Sequence, residues 1–191
     1  MTTTVYLIRH AESEYVEGAE RSRGLSVRGE RDAQRVSETL KGIEIYQLVS
    51  SPYERAIATI KPLADNLGLD ITLIEDLRER TIGDFGDAGF REAKLQVYEH
   101  FQFAYPQGGE SSAAAQARAA AVMNRLLEQY EGQSIAIGTH GDIMTLMLHY
   151  FNAEYGYTFW QSTTMPDIYK LTFDGKRLES VERLWRAESF D

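Results

Sequence analysis

Apolar positions follow two rhythms along this chain. Short contiguous runs of aliphatic, β-branched and aromatic residues read as buried strands: residues 4–8 around "VYLI", "YQLVSS" at 46–51 and "SIAIGTH" at 134–140. "DITLIEDL" at 70–77 has the same character and is expected to be the third strand in order. Between these runs the spacing lengthens to the helical period. After Ser26, a candidate N-cap, Val27, Ala33, Val36, Leu40 and Ile43 recur on one face, with Gly42 near the end. From Tyr53 to Gly68 the same holds for Ile57, Ile60, Ala64 and Leu67, with Pro62 expected to kink the helix and Gly68 to stop it.

Further helices are expected over 90–103 and over 111–131, the second capped by Ser111 and terminated at Gly132. "GDIMTLMLHYF" is apolar all round, which predicts a largely buried helix directly after the 134–140 strand. "GDFGDAG" at 83–89 suits neither helix nor sheet and reads as an ordered surface loop. Two β-leaning runs around Asp174-Gly175 predict a hairpin. The alternation argues an α/β fold with a mostly parallel sheet and an antiparallel hairpin at or near one edge. With no repeat, linker or low-complexity tract, one domain over 1–191 is expected.

Composition narrows the functions. A formal charge of -9 with no basic stripe makes nucleic acid a poor partner. The chain has no cysteine, which removes disulfides, thiolate metal sites and cysteine nucleophiles. Its N-terminal part carries neither a basic n-region nor a long apolar stretch, so no membrane association and a cytoplasmic location are expected. No heptad pattern or apolar patch defines an oligomeric state.

In an open parallel sheet, ligands sit outside the carboxyl ends of the strands. There the sequence places Arg9 and His10, Arg55, Glu79 and Arg80, and His140 with Gly141 at the start of a helix. Two histidines, at least two arginines and one carboxylate, without cysteine or a clear metal cluster, point to phosphoryl transfer through a phosphohistidine. A phosphomonoester is close to a dianion and needs fixed cations that follow its charge into the transition state. Arg9 and Arg55 can clamp it. His10 can attack if its other ring nitrogen is held by a carbonyl. His140, at a helix start, can donate to the anion. Glu79 is the candidate to protonate the leaving alkoxide.

The motifs resemble those of the histidine phosphatase superfamily, also called phosphoglycerate mutase-like. "RHAE" at 9–12 is similar to the family's Arg-His-Gly-Glu, and "SSPYERAIAT" at 50–59 to its SSPxxRAxxT. "DLRERTIGDFG" at 76–86 resembles the region carrying the family's acid, with Phe85 where tryptophan is common. Gly109-Glu110-Ser111 and Thr139-His140-Gly141 resemble its GES and THG motifs. The matches fall in family order from residue 5 to about 145. The resemblance implies a three-layer α/β/α sandwich with one antiparallel strand, a phosphorylated His10, and a phosphate pocket of Arg9, Arg55 and His140. It also implies Glu79 as proton donor and no metal or other cofactor.

Around that core, Gly141, Ser111 and Arg21 are assigned to the small phosphorylated substrate. Arg23, beside Arg21 in the loop before Ser26, is open between substrate and solvent, and Glu110 and Ser111 are expected to cap the long helix. His100 and His149 are read as structural. Two positions depart from the family. Ala11 stands where glycine is usual, and Val16 where an asparagine helps bind phosphate, at a cost of about 0.5–1.5 kcal/mol for the lost hydrogen bond. The activity expected is metal-independent phosphomonoester hydrolysis. A cofactor-dependent phosphoglycerate mutase is the alternative, but between Thr81 and Glu110 only Arg91 and Lys94 are basic. A weakened phosphate-binding or scaffold protein is the other. "EYGYTFWQ" at 154–161 can wall the pocket or pack the core, and core is preferred.

Overall fold

The first strand alternates its side chains between two apolar clusters. A computed structural model describes residues 1–186 of the chain. In strand β1 (Thr2–Arg9), Val5 and Leu7 enter one cluster while Tyr6 and Ile8 enter the other, so both faces of the strand are covered. Each such fully buried side chain contributes about 1.5–3 kcal/mol over its exposed state. The period-2 geometry of a strand thus turns one apolar run into two layers of core.

Helices α1 (Val27–Thr39) and α2 (Glu54–Leu67) cover the face with Tyr6 and Ile8, through Val36, Ile60, Leu63 and Ala64. Helix α4 (Ser112–Gln129) and helix α5 (Gly141–Phe151) cover the other, through Val122, Met123, Leu126, Ile143 and Met147. Strands β2 (Gln47–Ser50), β3 (Ile71–Leu73), β4 (Ser134–Thr139), β5 (Asp167–Asp174) and β6 (Arg177–Arg183) complete one six-stranded sheet of order β3-β2-β4-β1-β5-β6. The first four strands across it are parallel. β5 runs antiparallel to both of its neighbours and forms the edge hairpin with β6. This is the expected α/β/α sandwich.

Several boundaries differ from the sequence reading. The third strand stops at Leu73, because Glu75–Leu77 winds into a 3-10 turn that buries Leu77 beside α4. The helix expected over 90–103 is α3 (Phe90–Glu99). Val27, expected on an apolar face, is 76% exposed at the first turn of α1. α2 stays one helix through Pro62, whose missing N–H removes one backbone bond, and ends on Gly68 at φ 65° as expected. A short helix, α6 (Tyr157–Ser162), was not foreseen. No side chain caps it and none of its residues is fully buried, so it leaves no periodic signal. The aromatic segment around it divides: Tyr155 and Phe159 pack against the core, while Trp160 meets Phe90 and Tyr157 meets Tyr98 of α3. Among the described residues no helix is long and apolar enough to cross a membrane.

Candidate active site

Parallel β1, β2 and β4 end side by side, so the segments that leave them share one edge of the sheet. Arg9 is the last residue of β1, in register with Thr139, and the His10 N–H continues the pairing by donating to the Thr139 carbonyl at 2.9 Å. His140 occupies the N-cap position of α5, Arg55 lies in the first turn of α2, and Glu79 follows the 3-10 turn after β3.

The His10 tautomer is settled by its neighbour. Nδ1 lies 2.7 Å from the carbonyl of Ala11, which can only accept, so the ring proton sits on Nδ1 and Nε2 carries the lone pair. Arg55 Nε donates to that Nε2 at 3.3 Å. Burial, with the Arg55 charge next in effect, pushes the His10 pKa down to about 3, so the ring is neutral at physiological pH. The His140 ring lies edge-on at 5.3 Å between centroids, and burial followed by His10 and Arg55 holds it well below its ordinary value. Its Nε2 pairs with Ser51 Oγ at 2.7 Å.

Three arginines surround the pair. Arg9 Nη1 donates to Thr163 Oγ1 at 2.6 Å, anchoring it from the end of α6. The side of its guanidinium lies against Gly141, where an added Cβ would come 2.9 Å from Cζ and Nη2. Arg55, with a side chain 2% exposed, gives Nη1 to the Glu20 carbonyl and Nη2 to Glu20 Oε1, both at 2.6 Å. Arg23 donates to Ser13 Oγ at 2.8 Å and its Nε lies 3.5 Å from Glu20 Oε2. Among the described residues, the buried donors Arg9 Nε and Arg23 Nε and the buried ring nitrogen His140 Nδ1 have no hydrogen-bond partner. Buried donors are nearly always satisfied, and an oxyanion beside His10 would meet that need.

Glu79 is seated at the start of α5. Its carboxylate accepts from the N–H groups of Arg80 at 2.9 Å, Asp142 at 3.1 Å and Ile143 at 3.2 Å. Those donors favour the ionised form, as does Lys94, yet burial and the Asp142 charge outweigh them and raise its pKa. The segment leading into Glu79 is clamped from α4. Arg118 forks onto Glu110 at 2.7 Å per bond and donates to the carbonyls of Asp76 and Arg78 at 2.6 and 2.8 Å. Gly109 lets two loop segments touch, since a Cβ there would lie 2.3 Å from the Tyr105 carbonyl oxygen in its own loop and 2.7 Å from that of Ile82 in the other.

A model of the histidine phosphatase superfamily (branch 1) matches residues 5–185. The chain belongs to the histidine phosphatase superfamily. Among its relatives, it is 31% identical over 156 residues to phosphoglycerate mutase-like protein 4 of Arabidopsis thaliana, covering 73% of this chain and 67% of that one. It is 26% identical over 155 residues to the adenosylcobalamin/alpha-ribazole phosphatase of Escherichia coli K12, covering 75% and 76%. Its fold is similar to that of a mycobacterial glucosyl-3-phosphoglycerate phosphatase, with a TM-score of 0.75 at 20% identity over 96% of this chain and 97% of that one.

In this superfamily member, Arg9, His10, Arg55, Glu79 and His140 are gathered at one end of the sheet, and Gly141 packs on Arg9. The two other residues assigned to substrate from the sequence, Arg21 and Ser111, each make side-chain bonds within the protein. Arg21 forks onto Glu75 at 2.9 and 2.7 Å, with both side chains more than half exposed, and its guanidinium lies over the Tyr53 ring, 5.2 Å from the centroid. Arg23, two residues on and 13% exposed, is instead the loop cation whose charge bears on His10, Arg55 and His140. Ser111 Oγ accepts from the Ala114 N–H and caps α4, in keeping with the cap expectation. Glu20, Thr163 and Asp142 were not singled out from the sequence, where Lys94 counted only as a basic residue of 81–110, and only Asp142, directly after the THG match, lay next to a readable signal. Among the described residues no group of three or more His, Cys, Asp and Glu is placed to hold a metal ion.

Proposed function

We propose that the protein is a phosphomonoesterase that works through a phosphohistidine at His10. The observation that carries this reading is the neutral His10 ring, with its proton tied to the Ala11 carbonyl and its Nε2 lone pair facing Arg55 amid further buried cations. In the proposed reaction Nε2 attacks phosphorus in line, the N–P bond forms, and the P–O bond to the leaving alcohol breaks. Arg9, Arg55, Arg23 and His140 hold the equatorial oxygens as their charge grows. Glu79, protonated beforehand, gives its proton to the departing alkoxide. Glu79, now ionised, then takes a proton from water as that water attacks the phosphohistidine, releasing phosphate and restoring the neutral imidazole.

Hydrolysis is favoured over mutase activity by the placement of the two basic residues between Thr81 and Glu110. Lys94 is buried against Asp142 and so is not free to grip a substrate carboxylate, which leaves the exposed Arg91 of α3 as the single basic residue of that segment for the role. Incubation with p-nitrophenyl phosphate and a panel of alkyl, sugar and glycerate phosphates in chelator tests the reading. Turnover that disappears in His10→Ala supports it. Absence of turnover across the panel, or transfer between positions of phosphoglycerate far faster than hydrolysis, counts against it.

A further inference from the structure

Next to the Glu79 carboxylate lies a buried charge cluster that makes no hydrogen bond to His10, Arg55 or His140. Asp142 is fully buried in the first turn of α5. One of its oxygens, Oδ2, accepts from Arg80 Nε at 3.1 Å and from Lys94 Nζ, and the other accepts from the Tyr98 hydroxyl at 3.0 Å. Arg80 continues to Ser112 Oγ at 2.8 Å, and that hydroxyl donates to the Val97 carbonyl at 2.5 Å. Buried ion pairs of this kind are weak evidence of stabilisation, since well-packed apolar side chains serve a core at least as well. The cluster instead has a direct geometric link to Glu79. The Asp142 N–H donates to Glu79 Oε2 at 3.1 Å, and Arg80, the adjacent residue, donates its own N–H to Oε1 at 2.9 Å.

We propose that Asp142 and Lys94 are positioning residues for Glu79, Asp142 seating its carboxyl through the N–H to Oε2 and Lys94 holding the Asp142 side chain in place. The inference rests on Glu79 being the acid of the proposed hydrolysis. Glu79 is faced by Arg9 from β1, Tyr53 and Arg55 at the start of α2, Lys94 and Tyr98 from α3, Asp142 from α5, and its neighbour Arg80. A bound phosphate would partner Arg9 and Arg55, whereas Lys94 and Asp142 already partner each other beneath the site. A negative Asp142 favours the protonated carboxyl, and a positive Lys94 favours the ionised one. Burial adds to the effect of Asp142, so the balance leaves Glu79 raised. Lys94 is delivered by α3, so the acid is fully assembled only with α3 packed against α5.

The test is the pH profile of kcat/KM for an alkyl phosphate in the parent, Lys94→Met and Asp142→Asn, with thermal unfolding recorded for each. Glu79 acts when protonated, so the alkaline limb follows its proton affinity. Lys94→Met removes the opposing cation and moves that limb to higher pH, while Asp142→Asn removes the favouring anion and moves it to lower pH. Lys94→Arg leaves it in place, and this pair of lysine variants decides the matter if Asp142→Asn does not fold. Limbs that stay put, or that move in the same direction, overturn the proposal, since mere loosening of the fold has no reason to produce opposite signs. Glu79→Gln separates this failure from that of the underlying reading. A larger loss with the alkyl phosphate than with p-nitrophenyl phosphate keeps Glu79 as the acid whatever the two variants do, and equal losses overturn both.

Discussion

Glu20 holds the terminal nitrogens of Arg55 in the position where an incoming anion would need them. Its carbonyl and Oε1 each take one bond at 2.6 Å, and its second oxygen lies 3.5 Å from Arg23 Nε. A carboxylate between two arginines imitates one edge of a phosphate, so on the proposed reading a phosphate would compete with Glu20 for the same cations. Because the Glu20 side chain is about half exposed, solvent screens the pair and the competition is modest. Glu20→Gln should tighten inhibition by inorganic phosphate by up to about fivefold, as measured by its inhibition constant. A weaker inhibition would instead mean that Glu20 mainly holds Arg55 in place. At this scale the sequence was readable where chemistry needs a particular residue type beside a strand end, as with Arg9, His10 and His140. It was silent on Glu20 and Thr163, whose roles depend on loop paths that no local pattern encodes. The two family departures also become intelligible. Ala11 is fully buried and lies outside the left-handed region, so its methyl group adds no backbone strain there. Val16 is 52% exposed in the outer loop, and Arg23 brings a charge inward from the same loop.

Helix α5 organises the site more than any other element. It begins with His140 at its cap, carries Gly141 against Arg9, and offers the N–H groups of Asp142 and Ile143 to Glu79. Anions gain from such a helix start through oriented N–H groups and the positive end of the dipole. Gly141→Ala should leave the fold intact, because the added Cβ meets the side-chain end of Arg9 rather than backbone, at the expense of the Arg9–Thr163 anchor. The displaced guanidinium should still lower kcat/KM by on the order of tenfold to a hundredfold, with a melting temperature close to the parent's. An unchanged kcat/KM would show that Arg9 does not need its present place. The strand–helix alternation that builds this arrangement was legible because buried parallel strands and amphipathic helices have different periods. The short third strand and α6 were not. Edge pairing with a single neighbour and a six-residue helix both depend on tertiary contacts rather than on local pattern.

Taken whole, the molecule buries two neutral histidines among arginines, and this makes its stability depend on pH. The folded His10 has a pKa of about 3 against 6.5 when unperturbed, so between these values the unfolded chain binds more protons. The contribution of His10 to stability is therefore full above about pH 6.5 and is lost as pH falls toward 3. His10 alone should account for about 2 kcal/mol between pH 6.5 and roughly pH 5, and His140 acts in the same direction. Urea unfolding across that range should show a shallower pH dependence in His10→Asn than in the parent, and equal slopes would contradict the buried, neutral assignment. The same neutral ring is what the proposed chemistry requires of a nucleophile. Rapid quenching with phosphate-labelled substrate tests that claim most directly. An acid-labile, base-stable phosphoenzyme should form in the parent and be absent in His10→Ala. Label retained in His10→Ala, or rapid turnover by the parent with no trapped phosphohistidine at any quench time, would contradict it.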